Sequence, residues 1–253
     1  MKYKFKFLDS NMLKLLAVCF MLSDHLWATI VAGNQWMNYV GRLAFPIFAF
    51  LIAEGFIHTK NYRKYLERLL IFAVISEVPF DLFYGGTYFY PFHQNVLFTL
   101  LFGLISINAI SKGKAERTIK SSLVTILIVA LAVLAGTLLF TDYGGKGVLT
   151  VIIFYIFRDF RGAWILQLIS MALLHGVLYQ GLYIPVEIFG HIIDFHTQGF
   201  AVLSLIPIWL YNGKSGFRHP VLKYGFYIFY PLHMLMLYFL FESTIFFGFC
   251  LVA

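Results

Sequence analysis

The chain alternates between long apolar stretches and short polar punctuation, with little two-residue alternation. Apolar segments fall at about 12–32, 37–57, 66–84, 94–110, 119–140, 146–157, 162–181, 198–211 and 223–247. Runs of this length match helices that cross a hydrocarbon layer, which takes ~20 residues at 1.5 Å each. Barrel strands would be shorter and would alternate. The pattern therefore predicts an all-α integral membrane protein: a polytopic bundle of about nine transmembrane helices filling residues 1–253 as a single domain. The first run, behind Lys2, Lys4 and Lys6, is expected to remain as an uncleaved span, because it continues into Asp24, His25 and Trp27 without a small-residue cleavage site. The stretch 183–197 is apolar but short, and it holds Pro185, Glu187, His191, Asp194 and His196. It is expected to form a re-entrant or broken helix, since irregular backbone at membrane depth survives only when packed in protein or lining a cavity.

Composition agrees. Hydrophobic residues make up 60% of 253 residues, charged residues 12%, and mean hydropathy is +0.81. Soluble domains carry about 25% charged residues. A cytosolic globular domain, a coiled coil and a disordered chain are excluded. The two cysteines, Cys19 and Cys250, have neither a CxxC partner nor a histidine at ligand spacing, so no zinc site or disulfide framework is indicated.

Charge fixes an expected orientation. With the N-terminus in the cytoplasm and nine spans, the inner segments hold 17 of the 19 Lys and Arg: Lys2, Lys4, Lys6, Lys14, Lys60, Arg63, Lys64, Arg68, Lys112, Lys114, Arg117, Lys120, Arg158, Arg161, Lys214, Arg218 and Lys223. Only Arg42 and Lys146 fall outside. Such asymmetry is the positive-inside signature of a multi-pass inner-membrane protein. It also accounts for the net charge of +7 without nucleic acid, for which no basic run exists.

Ionisable groups inside a bilayer are costly and mark function or a specific partner. Here they gather in one leaflet. Asp24 and His25 lie in the outer half of the first span, and Arg42 opens the second. Glu77 and Asp81 close the third, with Pro79 between them, and His93 and Asn95 precede the fourth. Asp142, Tyr143 and Lys146 flank a Gly-rich turn. His175 and His233 lie in later spans, and Glu54 is the main inner-half counterpart. A polar cavity near the outer face is the expected result. Each group also has a structural reading. Arg42 and Lys146 can pair with Asp24, Glu77, Asp81 or Asp142, and His175 and His233 can bridge helices. The Asp24-His25 pair is the sharpest feature. Adjacent helical residues point ~100° apart, so one can face substrate while the other meets a neighbour such as Arg42. Histidine is the usual general base at neutral pH. No nucleotide loop, GxSxG, HExxH or carboxylate-rich metal site is present.

At these residues the sequence resembles the TraX family. The resemblance is carried by Met21-Leu22-Ser23-Asp24-His25, Gly41-Arg42-Leu43-Ala44-Phe45-Pro46, Glu77-Val78-Pro79-Phe80-Asp81, Asn95-Val96-Leu97-Phe98-Thr99, Asp142-Tyr143-Gly144-Gly145-Lys146-Gly147, Tyr211-Asn212-Gly213-Lys214 and Tyr230-Pro231-Leu232-His233, in that order over nearly the whole chain. The namesake of that family acetylates the amino terminus of conjugative pilin. The family is distantly similar to membrane acyltransferases that move acyl groups from cytoplasmic acyl-CoA to an acceptor beyond the membrane through an intramembrane histidine. The resemblance implies an acetyltransferase with acetyl-CoA as donor, no metal, and an extracytoplasmic amine or hydroxyl as acceptor: a pilin-like protein, a glycan or a small amine. It places acyl transfer at His25, supported by Asp24. Arg42, Asn95 or Tyr143 would polarise the thioester, and Glu77, Asp81, Asp142, Lys146, His175 and His233 would lie around the substrate. Lys60, Arg63, Lys64 and Arg68 would hold CoA phosphates, as their charge allows. A transporter using the outer polar groups and a non-catalytic pilus or envelope assembly factor are the competing functions.

Overall fold

The computed structural model describes residues 6–158, 162–179, 181–188, 190–217 and 220–252, with side chains of 188, 220–223 and 244–252 outside the description. Of the expected inner charges, Lys2, Lys4, Arg161 and Arg218 and the side chain of Lys223 lie outside the described residues, as does that of Cys250. Each apolar stretch contains helix. The helices are α1 Ser10–Thr29, α2 Gln35–Gly41, α3 Ala44–His58, α4 Tyr62–Gly85, α5 Val96–Glu116, α6 Ile119–Leu138, α7 Gly144–Ile156 and α8 Ala163–Met171, the last continuing as a π-helical turn over Ala172–Leu178. A 3₁₀ segment, Thr197–Ser204, leads into α9, Leu205–Trp209, and the chain closes with α10, Pro220–Val252.

Five helical stretches are long and apolar enough to cross a membrane: Ser10–Thr29, Gln35–His58, Val96–Glu116, Ile119–Leu138 and Tyr224–Ser243. α4 has the length, at 24 residues, but carries Arg68, Glu77 and Asp81 within its apolar part. The helices over 144–156, 163–178 and 197–209 are shorter.

The stretch 183–197 departs from expectation. It is a β-hairpin, Tyr183–Ile188 (β1) antiparallel to His191–His196 (β2), not a broken helix. Pro185 disfavours helix, the β-branched Ile184, Val186, Ile192 and Ile193 favour strand, and Gly190 takes φ +81° in the turn.

Caps set the helix ends. Asp9 accepts from the Asn11 and Met12 amides at the start of α1, Asn61 from Lys64 at α4, and Asn95 from Leu97 at α5. Small residues let helices approach: at Gly103 of α5 an added Cβ would meet Val151 of α7 at 2.7 Å. The core runs through Leu13, Phe45, Ile47, Leu69, Leu104, Val148, Phe154, Met171 and Met234. α6 is only 17% buried in its apolar window and forms a flank of the bundle. The N-termini of α1, α4 and α6 and the C-termini of α3 and α5 carry most of the described lysines and arginines. We call this the basic end.

Candidate functional site

α1 points one face inward with Ser10, Lys14, Val18, Met21 and His25, spaced three or four residues apart. His25 Nδ1 lies 2.7 Å from Nε2 of His233 on α10. His233 Nδ1 in turn lies 2.8 Å from the Phe229 carbonyl. Phe83 closes over His25 at 4.9 Å between ring centres, and the Phe229 ring lies parallel to His233 at 4.8 Å.

Asp24 faces away from this pair. It accepts from Arg42 and, at 2.7 Å, from the Asn38 side-chain amide. Arg42 sits at the break between α2 and α3, its Nε held by the Asn38 carbonyl. The approach is tight, because a Cβ on Gly41 would stand 2.3 Å from that of Asp24. Arg42 is also within electrostatic reach of His25, Tyr143 and Asp142.

A second layer locks the 86–95 loop to the turn before α7. Gln94 and Thr141 form a parallel bridge, and Thr99 donates to the Asp142 carbonyl. His93 Nε2 lies 3.6 Å from Asp142 Oδ1. Asn95 donates to Glu77 and to the Ala73 carbonyl, and Asp81 accepts from the Tyr90 amide at 3.0 Å. Tyr143 holds a left-handed backbone at φ 65°, unusual for a bulky residue, with its ring stacked on Phe45 at 3.8 Å.

His175 and Lys146 belong elsewhere. His175, fully buried, bridges Thr150 at 3.0 Å and Gln198 at 3.1 Å, so both ring nitrogens are used structurally. Lys146 is read in the sequence either as a partner for a carboxylate or as a group around the substrate. Instead it donates to the Leu178 carbonyl at 2.7 Å and lies over the Tyr179 ring, because the π-helical turn brings that end of the helix to it. The two clusters meet where the Tyr179 hydroxyl donates to the Tyr143 carbonyl.

The sequence pointed to a polar cavity at the outer face. There the polar groups pair with one another, and a cavity of about 640 Å³ opens at the basic end. Lys14, Arg68, Lys214 and His58 stand at its mouth. Phe226 lies under Lys14 at the same mouth, Leu51, Leu69 and Leu100 line the apolar walls, and Met21 and Tyr230 are the lining residues nearest the histidines in sequence. Met21 is one helical turn below His25, and the Tyr230 ring is 5.9 Å from that of His233. Of the residues expected to hold CoA, only Arg68 lines this cavity; Lys60, Arg63 and Lys64 are exposed around the first turn of α4. On α4 it is Tyr65, Arg68 and Leu69 that share the inward face. The sequence reading missed Lys14 and Lys214 as rim residues. Their signal was present in the spacing of Lys14 with Met21 and His25 on one stripe. Deep at the rim, Glu54 is 2.6 Å from Arg158 and 3.4 Å from His58. Among the described residues, no group of three His, Cys, Asp or Glu side chains is arranged to hold a metal.

Five helices long and apolar enough to cross a membrane, a histidine pair joining α1 and α10 and a basic-mouthed cavity mark a helical membrane protein with a small-molecule-sized site. The chain belongs to the TraX family, whose model, described as TraX protein, matches residues 9–241. It is 31% identical over 240 residues to the "Probable fimbrial assembly protein FimC, serogroup H1" of Dichelobacter nodosus, covering 89% of this chain and 92% of that relative. No solved structure matches it.

Proposed function

We propose that the chain is a multi-pass inner-membrane acetyltransferase that takes its acyl group from acyl-CoA at the basic, cytoplasmic end and delivers it to an amine or hydroxyl on the far side. The observation that carries this reading is the alignment of cavity and histidines: a volume of about 640 Å³, within the ~300–1,000 Å³ of small-molecule sites, runs from Lys14, Arg68 and Lys214 to within a helical turn of His25. Phosphates suit the cationic mouth, and a thin apolar arm suits the apolar walls. An adenine ring would find Tyr65, Tyr227 and Phe226 near the same mouth.

The chemistry needs few parts. As the acceptor nitrogen bonds to the thioester carbonyl carbon, the His25 imidazole takes its proton. The C–S bond then breaks, and the proton passes to the CoA sulfur. Arg42, fixed by Asp24, supplies positive charge near His25 for the oxygen of the tetrahedral intermediate. A pilin-like amino terminus is the acceptor we favour, since the relative's name places it in fimbrial assembly.

That name equally favours a second reading, a fimbrial assembly factor without chemistry. Calorimetry with acetyl-CoA in detergent, followed by mass spectrometry of a pilin-like N-terminal peptide, separates the two. The acyltransferase predicts saturable binding, weakened at least tenfold by neutralising Lys14, Arg68 and Lys214, and an acetylated product lost in His25→Ala. A folded protein that ignores acyl-CoA but retains a pilin-like partner would leave the assembly reading standing.

A further inference from the structure

We propose that His25 and His233 form a tautomer-locked pair in which His233 is a positioning residue and the Nε2 atom of His25 is the reactive one; the catalytic half of this statement rests on the acyltransferase reading. The argument begins at a carbonyl. A carbonyl oxygen only accepts, so the 2.8 Å contact between His233 Nδ1 and the Phe229 carbonyl requires a proton on that nitrogen. A neutral imidazole carries one N–H, so His233 Nε2 is then a bare acceptor. Among the described residues the ring nitrogen facing it is His25 Nδ1, at 2.7 Å. His25 Nδ1 therefore carries the proton, and His25 Nε2 is left with its lone pair.

Ring geometry supports this. The two imidazole planes are within 8° of parallel, with centroids 4.9 Å apart. That separation is close to the nitrogen–nitrogen distance plus the two ring radii. The rings thus meet edge to edge in nearly one plane, with the N–H of one directed along the lone pair of the other. His233 is itself held by its stack on Phe229 and by the helix that carries the accepting carbonyl. Among the described residues His25 Nε2 has no hydrogen-bond partner, whereas both nitrogens of His175 are occupied. Of these three rings, His25 keeps a nitrogen in reserve.

The arrangement suits proton transfer. When His25 Nε2 accepts the acceptor's proton, the Nδ1–H bond to His233 is retained and becomes charge-assisted. His233 would thus stabilise the imidazolium and hold its plane as the aspartate of a hydrolase triad does, without adding a carboxylate at membrane depth. Asp24, one residue away, does not contact the imidazole and serves Arg42 instead.

The test is ¹⁵N NMR of histidine-labelled protein in nanodiscs, with His25 signals assigned through His25→Gln. In the wild type at neutral pH, His25 should be protonated at Nδ1 and bare at Nε2, with a correlation across the bond to His233. His233→Phe, which keeps a ring but no acceptor, should convert His25 to a tautomer mixture and lower kcat about 10- to 100-fold while leaving the KM for acyl-CoA unchanged. His233→Gln, whose amide oxygen can accept, should restore part of both. A proton on Nε2 of His25 in the wild type, or a tautomer indifferent to His233→Phe, overturns the pair. The expected tautomer in a protein that moves no acyl group would uphold the pair and remove the acyltransferase reading.

Discussion

Asp24 and His25 divide their tasks because neighbours on a helix point ~100° apart. His25 meets α10 while Asp24 meets α2 and the break before α3. The Asp24–Arg42 contact was legible in the sequence, since few opposite charges share that leaflet and each needs a partner there. The His25–His233 contact was not: 208 residues separate them, and one ring nitrogen can find a partner on any of several helices. Arg42→Met should therefore cost about 3–5 kcal/mol, because it strands a carboxylate in a low-dielectric interior. Asp24→Asn in the same chain should recover a substantial part by removing that charge. Thermal unfolding of the two single variants and the double variant in detergent measures the coupling. Strict additivity would mean that the pair is solvated rather than enclosed.

At the scale of elements, segment positions were legible and their kinds were not always so. Hydropathy locates α1, α5 and α6 within a few residues, because a long apolar run has one economical backbone solution in lipid. The hairpin over 183–196 escaped, since a short apolar stretch with charges fits a broken helix as well as a pair of strands until Pro185 and Gly190 are weighed for their dihedral demands. The rim of the cavity escaped for another reason: Lys14 and Lys214 looked sufficient as topology signals. Close helix contacts are a further feature that only packing reveals. Gly103→Ala should press a methyl into Val151 across the α5–α7 contact and cost about 1–3 kcal/mol. Val151→Ala on top of it should return most of that loss, since both changes act on one contact. Melting temperatures of the four proteins decide it. An unchanged melting temperature in Gly103→Ala would mean that the two helices separate freely.

At the scale of the whole molecule, the basic-mouthed cavity and the histidine pair occupy successive levels of α1 and α10. The cavity mouth is cationic, and the histidine pair lies past Met21 and Tyr230 on the same two helices, so on the proposed reading a donor entering from one side would reach groups shared with the other. The five helices that can span set this axis. The shorter helices, such as α7 at 13 residues or about 20 Å, fall short of the ~30 Å hydrocarbon thickness and pack around the Thr150–His175–Gln198 bridge. Of the nine apolar segments, five hold helices long and apolar enough to cross a membrane. The proposed direction of transfer depends on the basic end facing the cytoplasm, where acyl-CoA is made, and this can be tested directly. In a background of Cys19→Ser and Cys250→Ser, Lys214→Cys at the rim should react with a membrane-impermeant maleimide only in inside-out vesicles. Tyr88→Cys, on the exposed loop after α4, should react only in right-side-out vesicles. Acetyl-CoA should slow labelling at position 214 and leave position 88 untouched. The opposite sidedness would place the cationic mouth away from the acyl-CoA pool, and the cavity would then have to serve a ligand from outside the cell.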